Sequence, residues 1–326
     1  MVHQLSWLEA IVIGAMQGVA ELFPVSSLGH SVLLPAVIGG SWAQDLDVSA
    51  PESPYLAFIV GLHVATALAL VVFFWRDWVR IIGGLFTSIV RRKVTTSAQR
   101  LGWLLVLGTI PVGLVGLLLE HTFRTVLSRP VPTAVFLVIN GLVLLGAETM
   151  RRRAVSGIPA AATPPAPGGR HDGVDPAGRT VVMHVGAGPA TAAEASDERL
   201  GAMPMLRAAG IGAAQIAALC PGISRSGVTM ATGLLRGLSH EDAARFSFLL
   251  STPVILAAGM LKLGDLAGPL GDGVRPQILV GSLLSFVGAY LSVRFLTRYF
   301  ENRSLRPFGI YCIAVGAACL IWFGIR

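Results

Sequence analysis

The chain has 326 residues, 53% of them hydrophobic and 13% charged, with a mean hydropathy of +0.69 and a net charge of +7. Soluble domains carry roughly 25% charged residues, so this balance excludes an ordinary soluble enzyme and predicts an all-α polytopic membrane protein. The three cysteines, Cys220, Cys312 and Cys319, lie in apolar stretches without metal-ligand spacing, which argues against a disulfide framework or a thiolate metal centre.

No basic region or clear cleavage site marks the N-terminus, so no removable signal peptide is expected. A spanning helix needs about 20 mostly apolar residues. Residues 8–40 hold two shorter apolar pieces, interrupted by Gln17, Glu21 and Pro24. Proline lacks an N–H and clashes with the preceding turn, so the helix breaks there. Two short pieces around a Pro/Ser/Gly turn predict a re-entrant helix–loop–helix, which is tolerated at membrane depth only inside protein or beside a watery cavity. The alternative is one span with a proline kink.

An acidic loop runs from Ser41 to Tyr55. Spans are predicted at 56–75, 101–119 and 132–149, with a strongly basic connection from Arg76 to Arg100. Residues 150–205 are rich in Pro, Ala and Gly and show no apolar period, which predicts a loosely ordered linker. The pattern then restarts. Short apolar pieces flank Pro221 and Gly222 within a second re-entrant region, 206–238, and spans are predicted at 246–263, 278–296 and 308–323. The expected units are a first membrane half at 1–149, the linker at 150–205 and a second half at 206–326.

Each half is thus one re-entrant pair plus three spans. Three spans change side and a re-entrant pair does not, so the second half is inverted relative to the first. Phe23-Pro24-Val25-Ser26-Ser27 also echoes Cys220-Pro221-Gly222-Ile223-Ser224. Inverted repeats bring two broken regions together near the midplane from opposite faces. On the N-terminal side this topology places only Arg124, Arg129, Arg275 and Arg326; apart from Arg225 and Lys262, every other base falls on the opposite side. Positive loops stay cytoplasmic. Both termini and the acidic loop are therefore expected outside and the linker in the cytoplasm, and the net charge needs no nucleic acid to explain it.

The polar residues inside these apolar stretches carry the chemistry. Ionisable groups at membrane depth are costly, and their default reading is functional. Gln17 and Glu21 are four apart, on one helical face. Glu21 suits a hard divalent cation through oxygen, with Gln17 lending its carbonyl; a local ion pair is the alternative. Ser26, Ser27 and His30 follow the break. Serine needs a neighbouring base or metal to become a nucleophile, and His30 can approach Ser27 if a helix starts near Ser26. Helix capping is the competing role for the serines; both hold if Ser26 caps and Ser27 reacts. His63, in the next span, is expected to be structural or to support these groups. Arg225 costs about 3 kcal/mol at bilayer depth, and its planar fork matches phosphate oxygens. Ser224 and Ser226 flank it as donors, and Gly222 and Gly227 permit close backbone approach. The alternative for Arg225 is an ion pair with Glu21, which would itself join the two stretches.

Taken together, E-x-x-P-V-S-S-x-G-H from Glu21 to His30 and P-G-x-S-R-S-G from Pro221 to Gly227 resemble the bacterial undecaprenyl-diphosphatase family (BacA/UppP type). The resemblance covers nearly the whole chain apart from the linker. It implies hydrolysis of undecaprenyl diphosphate to the monophosphate and phosphate, recycling of the cell-wall lipid carrier, bacitracin resistance and an outward-opening site in the bacterial plasma membrane. It also implies a divalent cation, magnesium or calcium, held by Glu21, Gln17 and the substrate diphosphate. Ser27 becomes the nucleophile, with His30 as the alternative nucleophile. Otherwise His30 serves as acid/base. Arg225 clamps phosphate, supported by Ser26, Ser27, Gly222, Ser224 and Ser226. Gln17 stands where many members carry a second carboxylate, which weakens the metal site, and Leu28 stands where a small or polar residue is common. The expected partners are the diphosphate lipid and bilayer lipid, with no nucleic acid; a homodimer is left open.

Two other readings compete. Inverted repeats with broken helices also build transporters, so the same residues could carry a polyprenyl phosphate across the membrane without cleaving it. The other large class of membrane lipid phosphatases pairs P-S-G-H with S-R and a later histidine. Here the next histidine after Arg225 is His240 and no upstream K-x6-R-P occurs.

Overall fold

The computed structural model describes residues 5–46, 54–122, 126–156, 192–261 and 273–325, and among these it contains helices and no strand. In chain order the helices are α1 (Trp7–Ala20), α2 (Ser27–Ile38), α3 (Ser41–Asp45), α4 (Pro54–Phe73), α5 (Trp75–Arg91), α6 (Ser97–Thr122), α7 (Pro130–Ser156), α8 (Ala192–Gly201), α9 (Met205–Ala213), α10 (Arg225–Leu235), α11 (His240–Leu261), α12 (Arg275–Asn302) and α13 (Arg306–Ile325). A 3₁₀ turn, Ala214–Leu219, extends α9. Helices α6, α7, α11, α12 and α13 are long and apolar enough to cross a membrane, and α4 joins them as the apolar arm of a bent pair. Each half therefore holds a re-entrant pair, α1/α2 or α9/α10, and three long helices. This element order, repeated in the two halves, is the one anticipated from the sequence.

Packing obeys the same symmetry. The first arm of each re-entrant pair lies against the middle span of the other half: α1 on α12, and α9 on α6. Glycines allow both approaches. A Cβ on Gly14 would sit 2.6 Å from Gly281 Cα, and one on Gly212 would run into Gly108. Membrane helices associate through such small residues because lipid offers no hydrophobic drive between them. Helix α1 rises about 21 Å, short of the ~30 Å hydrocarbon core, so it cannot cross that core by itself.

The sequence reading needs correction in two places. The basic stretch after Trp75 is a helix, not a simple connection: α5 turns 85° from α4 and exposes Val79, Ile82, Phe86, Ile89 and Val90 on one face. That is the pattern of a helix lying in the membrane interface. The linker is also shorter than expected. Helix α7 runs to Ser156, and α8 is ordered by ion pairs that composition did not reveal. Arg199 bonds Asp242 at 2.7 Å, and Arg80 and Arg245 grip Asp197 at 2.6 and 2.7 Å. The residues between Ser156 and Ala192 lie outside the described residues.

Candidate active site

The first broken stretch is built by its own caps. Helix α1 closes at Glu21, whose N–H donates to the Gln17 carbonyl at 3.0 Å, and Pro24 prevents continuation. Ser26 then takes φ +69°, a left-handed conformation rare outside glycine. Its hydroxyl accepts the Gly29 N–H that caps α2 and also the Gly222 N–H of the second stretch, both at 3.2 Å. One side chain thus starts α2 and docks the two breaks together. Ser27 follows as the first residue of α2 and is buried.

Glu21 is the hub. Its Oε2 accepts from the Ser27 hydroxyl and from Gln17 Nε2 at 3.0 Å, and its Oε1 accepts from Arg225 at 2.9 Å. The ion pair Glu21–Arg225 joins the two stretches across 204 positions of sequence. His63 Nε2 lies 3.3 Å from Oε2. The Nδ1 of His63 donates to the Ile59 carbonyl at 2.8 Å, since a carbonyl can only accept. The sequence placed His63 in a supporting role; its direct reach to Glu21 was visible only as a histidine in the apolar run of α4.

The second stretch answers the first. Gly222 adopts φ +105°, and any Cβ there would strike the Thr133 carbonyl, so glycine is required. Ser224 caps α10, accepting the Gly227 N–H at 3.1 Å. Arg225 begins the helix, so the positive end of α10 adds to its charge. The hydroxyls of the neighbouring serines, expected from the sequence to face phosphate, are engaged within the protein. Ser224 and Ser226 direct their hydroxyls to the Phe23 carbonyl, at 3.5 and 3.3 Å. Helix ends leave N–H groups without partners, and Ser224 satisfies one of them for α10 while both serines reach the turn after α1.

His30, expected from the sequence near Ser27, makes other contacts. Its Nδ1 donates to the Ser26 carbonyl at 2.8 Å, and Nε2 faces the Tyr311 hydroxyl at 2.9 Å. Helix geometry explains the difference. With α2 starting at Ser27, His30 lies one turn above Ser26, not beside the Ser27 hydroxyl. The group touching Ser27 is Glu21.

Among the described residues no three His, Cys, Asp or Glu side chains converge into a metal cage. The donor set nevertheless fits a cation that arrives with an anionic ligand. Gln17 Oε1 is buried without a hydrogen-bond partner, and Glu21 Oε1 has Arg225 alone. One carboxylate plus neutral oxygens, with the remainder from phosphate and water, is ordinary for magnesium.

Residues 10–318 match the family model described as bacitracin resistance protein BacA. The chain belongs to the BacA family. It is 58% identical to proteins named undecaprenyl-diphosphatase from Mycolicibacterium paratuberculosis and Mycobacterium avium, over the full length of both chains. It is 55% identical to undecaprenyl-diphosphatase 1 of Frankia casuarinae, covering 98% of this chain and 99% of that one. Within this BacA-family chain, one residue the sequence reading passed over ties both breaks to a spanning helix. Asn140 of α7 is fully buried. Its amide donates to the Pro24 carbonyl at 3.0 Å and accepts the Ser224 N–H at 3.0 Å. Asn140→Leu leaves both backbone groups unpaired, at roughly 1–3 kcal/mol each. The expected result is a protein that unfolds at lower temperature and has lost most phosphatase activity, read by thermal melting in detergent beside phosphate release.

Proposed function

We propose that the protein cleaves the phosphoanhydride bond of undecaprenyl diphosphate, giving undecaprenyl phosphate and inorganic phosphate, and thereby recycles the cell-wall lipid carrier and confers bacitracin resistance. The observation that carries this reading is the meeting of Ser27, Glu21 and Arg225 at membrane depth. It occurs in a family whose relatives are named for this activity.

Arg225 and the first turns of α2 and α10 hold the terminal phosphate, because guanidinium and helix N-termini both attract anions. Ser27 Oγ attacks the terminal phosphorus. Its proton passes to Glu21, which already accepts it in a hydrogen bond, and His63 stands behind Glu21 to share the charge. The O–P bond to serine forms as the bridging P–O bond breaks, and undecaprenyl phosphate leaves with the bridging oxygen. Water then hydrolyses the phosphoserine. Catalysis here is mostly positioning and charge neutralisation.

A magnesium or calcium ion would be held by Glu21 and Gln17 together with the diphosphate, and would offset charge on the transferring group. Removing divalent ions with a chelator is expected to abolish release, and adding back either ion to restore it. An unchanged rate in chelator would remove the cation from the reaction. The protein is placed in the bacterial plasma membrane with both termini and the site opening outward, as the distribution of bases supports. The decisive assay is phosphate release by purified protein in detergent, where no two sides exist. Lipid translocation in vesicles without phosphate release would instead make the site a carrier.

A further inference from the structure

A basic cavity lies at the end of α12. The last three turns of that helix and the residue after it line a cavity of about 530 Å³, formed by Leu291, Arg294, Phe295, Arg298, Tyr299, Asn302 and Arg303. The three arginines are exposed. Among the described residues none of them has a carboxylate within ion-pair distance, and no acidic side chain lines the cavity. Nothing in the mechanism above uses them.

The other wall is apolar and fixed. Phe295 stacks on Phe23, with ring centroids 6.0 Å apart and planes within 8°, and leans on Tyr299 at 5.6 Å. The Tyr299 hydroxyl is anchored on the Ser304 carbonyl at 3.3 Å. Helix α12 has 28 residues, about 42 Å at 1.5 Å per residue. This exceeds the ~30 Å hydrocarbon core, so Arg298 and Arg303 stand at headgroup level while Leu291 and Phe295 reach the acyl region. The end of α12 lies opposite its start, where Gln277 meets Leu5, so the cavity is on the face that carries the basic loops. Fixed positive charge above an apolar aromatic wall is complementary to an amphiphile with an anionic head.

We propose that this cavity is a binding site for the phosphate headgroup of an anionic membrane phospholipid. The phosphodiester sits among Arg294, Arg298 and Arg303, and an acyl chain lies along Leu291 and Phe295. Arginine forks bind phosphate oxygens through paired hydrogen bonds, and basic residues near an anionic surface strengthen that attraction. Phe295 touches Phe23, whose carbonyl holds Ser224 and Ser226, so the occupied cavity backs the catalytic break from behind.

The test uses the full chain purified in detergent, with bound lipid counted by native mass spectrometry after incubation with phosphatidylglycerol or with phosphatidylcholine of the same chains. Phosphatidylglycerol is expected to stay bound and phosphatidylcholine to wash off. Retention should fall by roughly tenfold or more in Arg298→Ala/Arg303→Ala. It should be unchanged in Arg207→Ala, a base on the same face outside the cavity. Coincident melting temperatures for wild type and double variant establish that the loss is of binding, not of folding. Equal retention of the two lipids, or undiminished retention in the double variant, overturns the proposal. So does displacement of phosphatidylglycerol by equimolar polyprenyl monophosphate, which would assign the cavity to the reaction product, or by inorganic phosphate at equal concentration, which would make it a site for the free anion.

Discussion

Ser27→Ala is expected to lower phosphate release from undecaprenyl diphosphate by at least about a thousandfold while the protein stays folded. The two halves of this expectation come from the same geometry. Ser27 makes one side-chain hydrogen bond, to Glu21, and Glu21 keeps Gln17, His63 and Arg225 as partners when that hydroxyl is gone. The stability cost is therefore that of one hydrogen bond, about 1 kcal/mol. The chemistry has no such redundancy, because His30 is committed to Ser26 and Tyr311. Ser26→Ala is the informative neighbour. It removes the acceptor for two N–H groups, Gly29 and Gly222, and should lower the melting temperature as well as the rate. Phosphate release beside melting curves separates the two. A Ser27→Ala protein within tenfold of wild type would move the nucleophile to another group, and trapping of a phosphorylated residue in single turnover would identify it.

Much of this site was legible in the sequence because bilayer depth makes polarity conspicuous. A carboxylate, two serines, a histidine and an arginine inside apolar stretches cost free energy unless they are paired, so they announced themselves. Pro24 and Pro221-Gly222 announced the breaks, and the base distribution supported the topology. The pairing was less legible. Whether Ser27 meets His30 or Glu21 depends on how the turn after Glu21 folds back onto α1, which residue spacing does not show. Ser224 and Ser226 looked like phosphate donors because sequence does not show the Phe23 carbonyl lying across the interface within reach of both hydroxyls. Asn140 and His63 sit in ordinary apolar spans, and only tertiary packing shows their partners: Glu21 for His63, and Pro24 and Ser224 for Asn140. Helix α5 was hidden by its own arginines: counted as loop charge they masked the apolar face at helical spacing. The ends of the linker were masked by composition, since α8 is held by tertiary ion pairs rather than by an apolar stripe.

Arg225→Lys is expected to cost roughly a hundredfold or more in phosphate release with little loss of stability, whereas Arg225→Ala loses both. Lysine keeps the charge that balances Glu21 but lacks the planar fork that can hold one carboxylate oxygen and reach phosphate at once. Alanine leaves the buried Glu21 carboxylate opposed by His63 alone, and stranding one partner of a buried pair costs about 3 kcal/mol or more. The double variant Glu21→Gln/Arg225→Ala removes both charges, so it should regain most of the melting temperature lost by Arg225→Ala while remaining inactive. A thermal double-mutant cycle in detergent measures the coupling directly. Additive losses would mean that the ion pair across the two halves contributes nothing to their docking. Recovered activity in the double variant would mean that Arg225 serves only to neutralise Glu21. Stability without activity is the result the geometry requires, because the same guanidinium that closes the repeat interface in the free protein must also face the phosphate when substrate arrives.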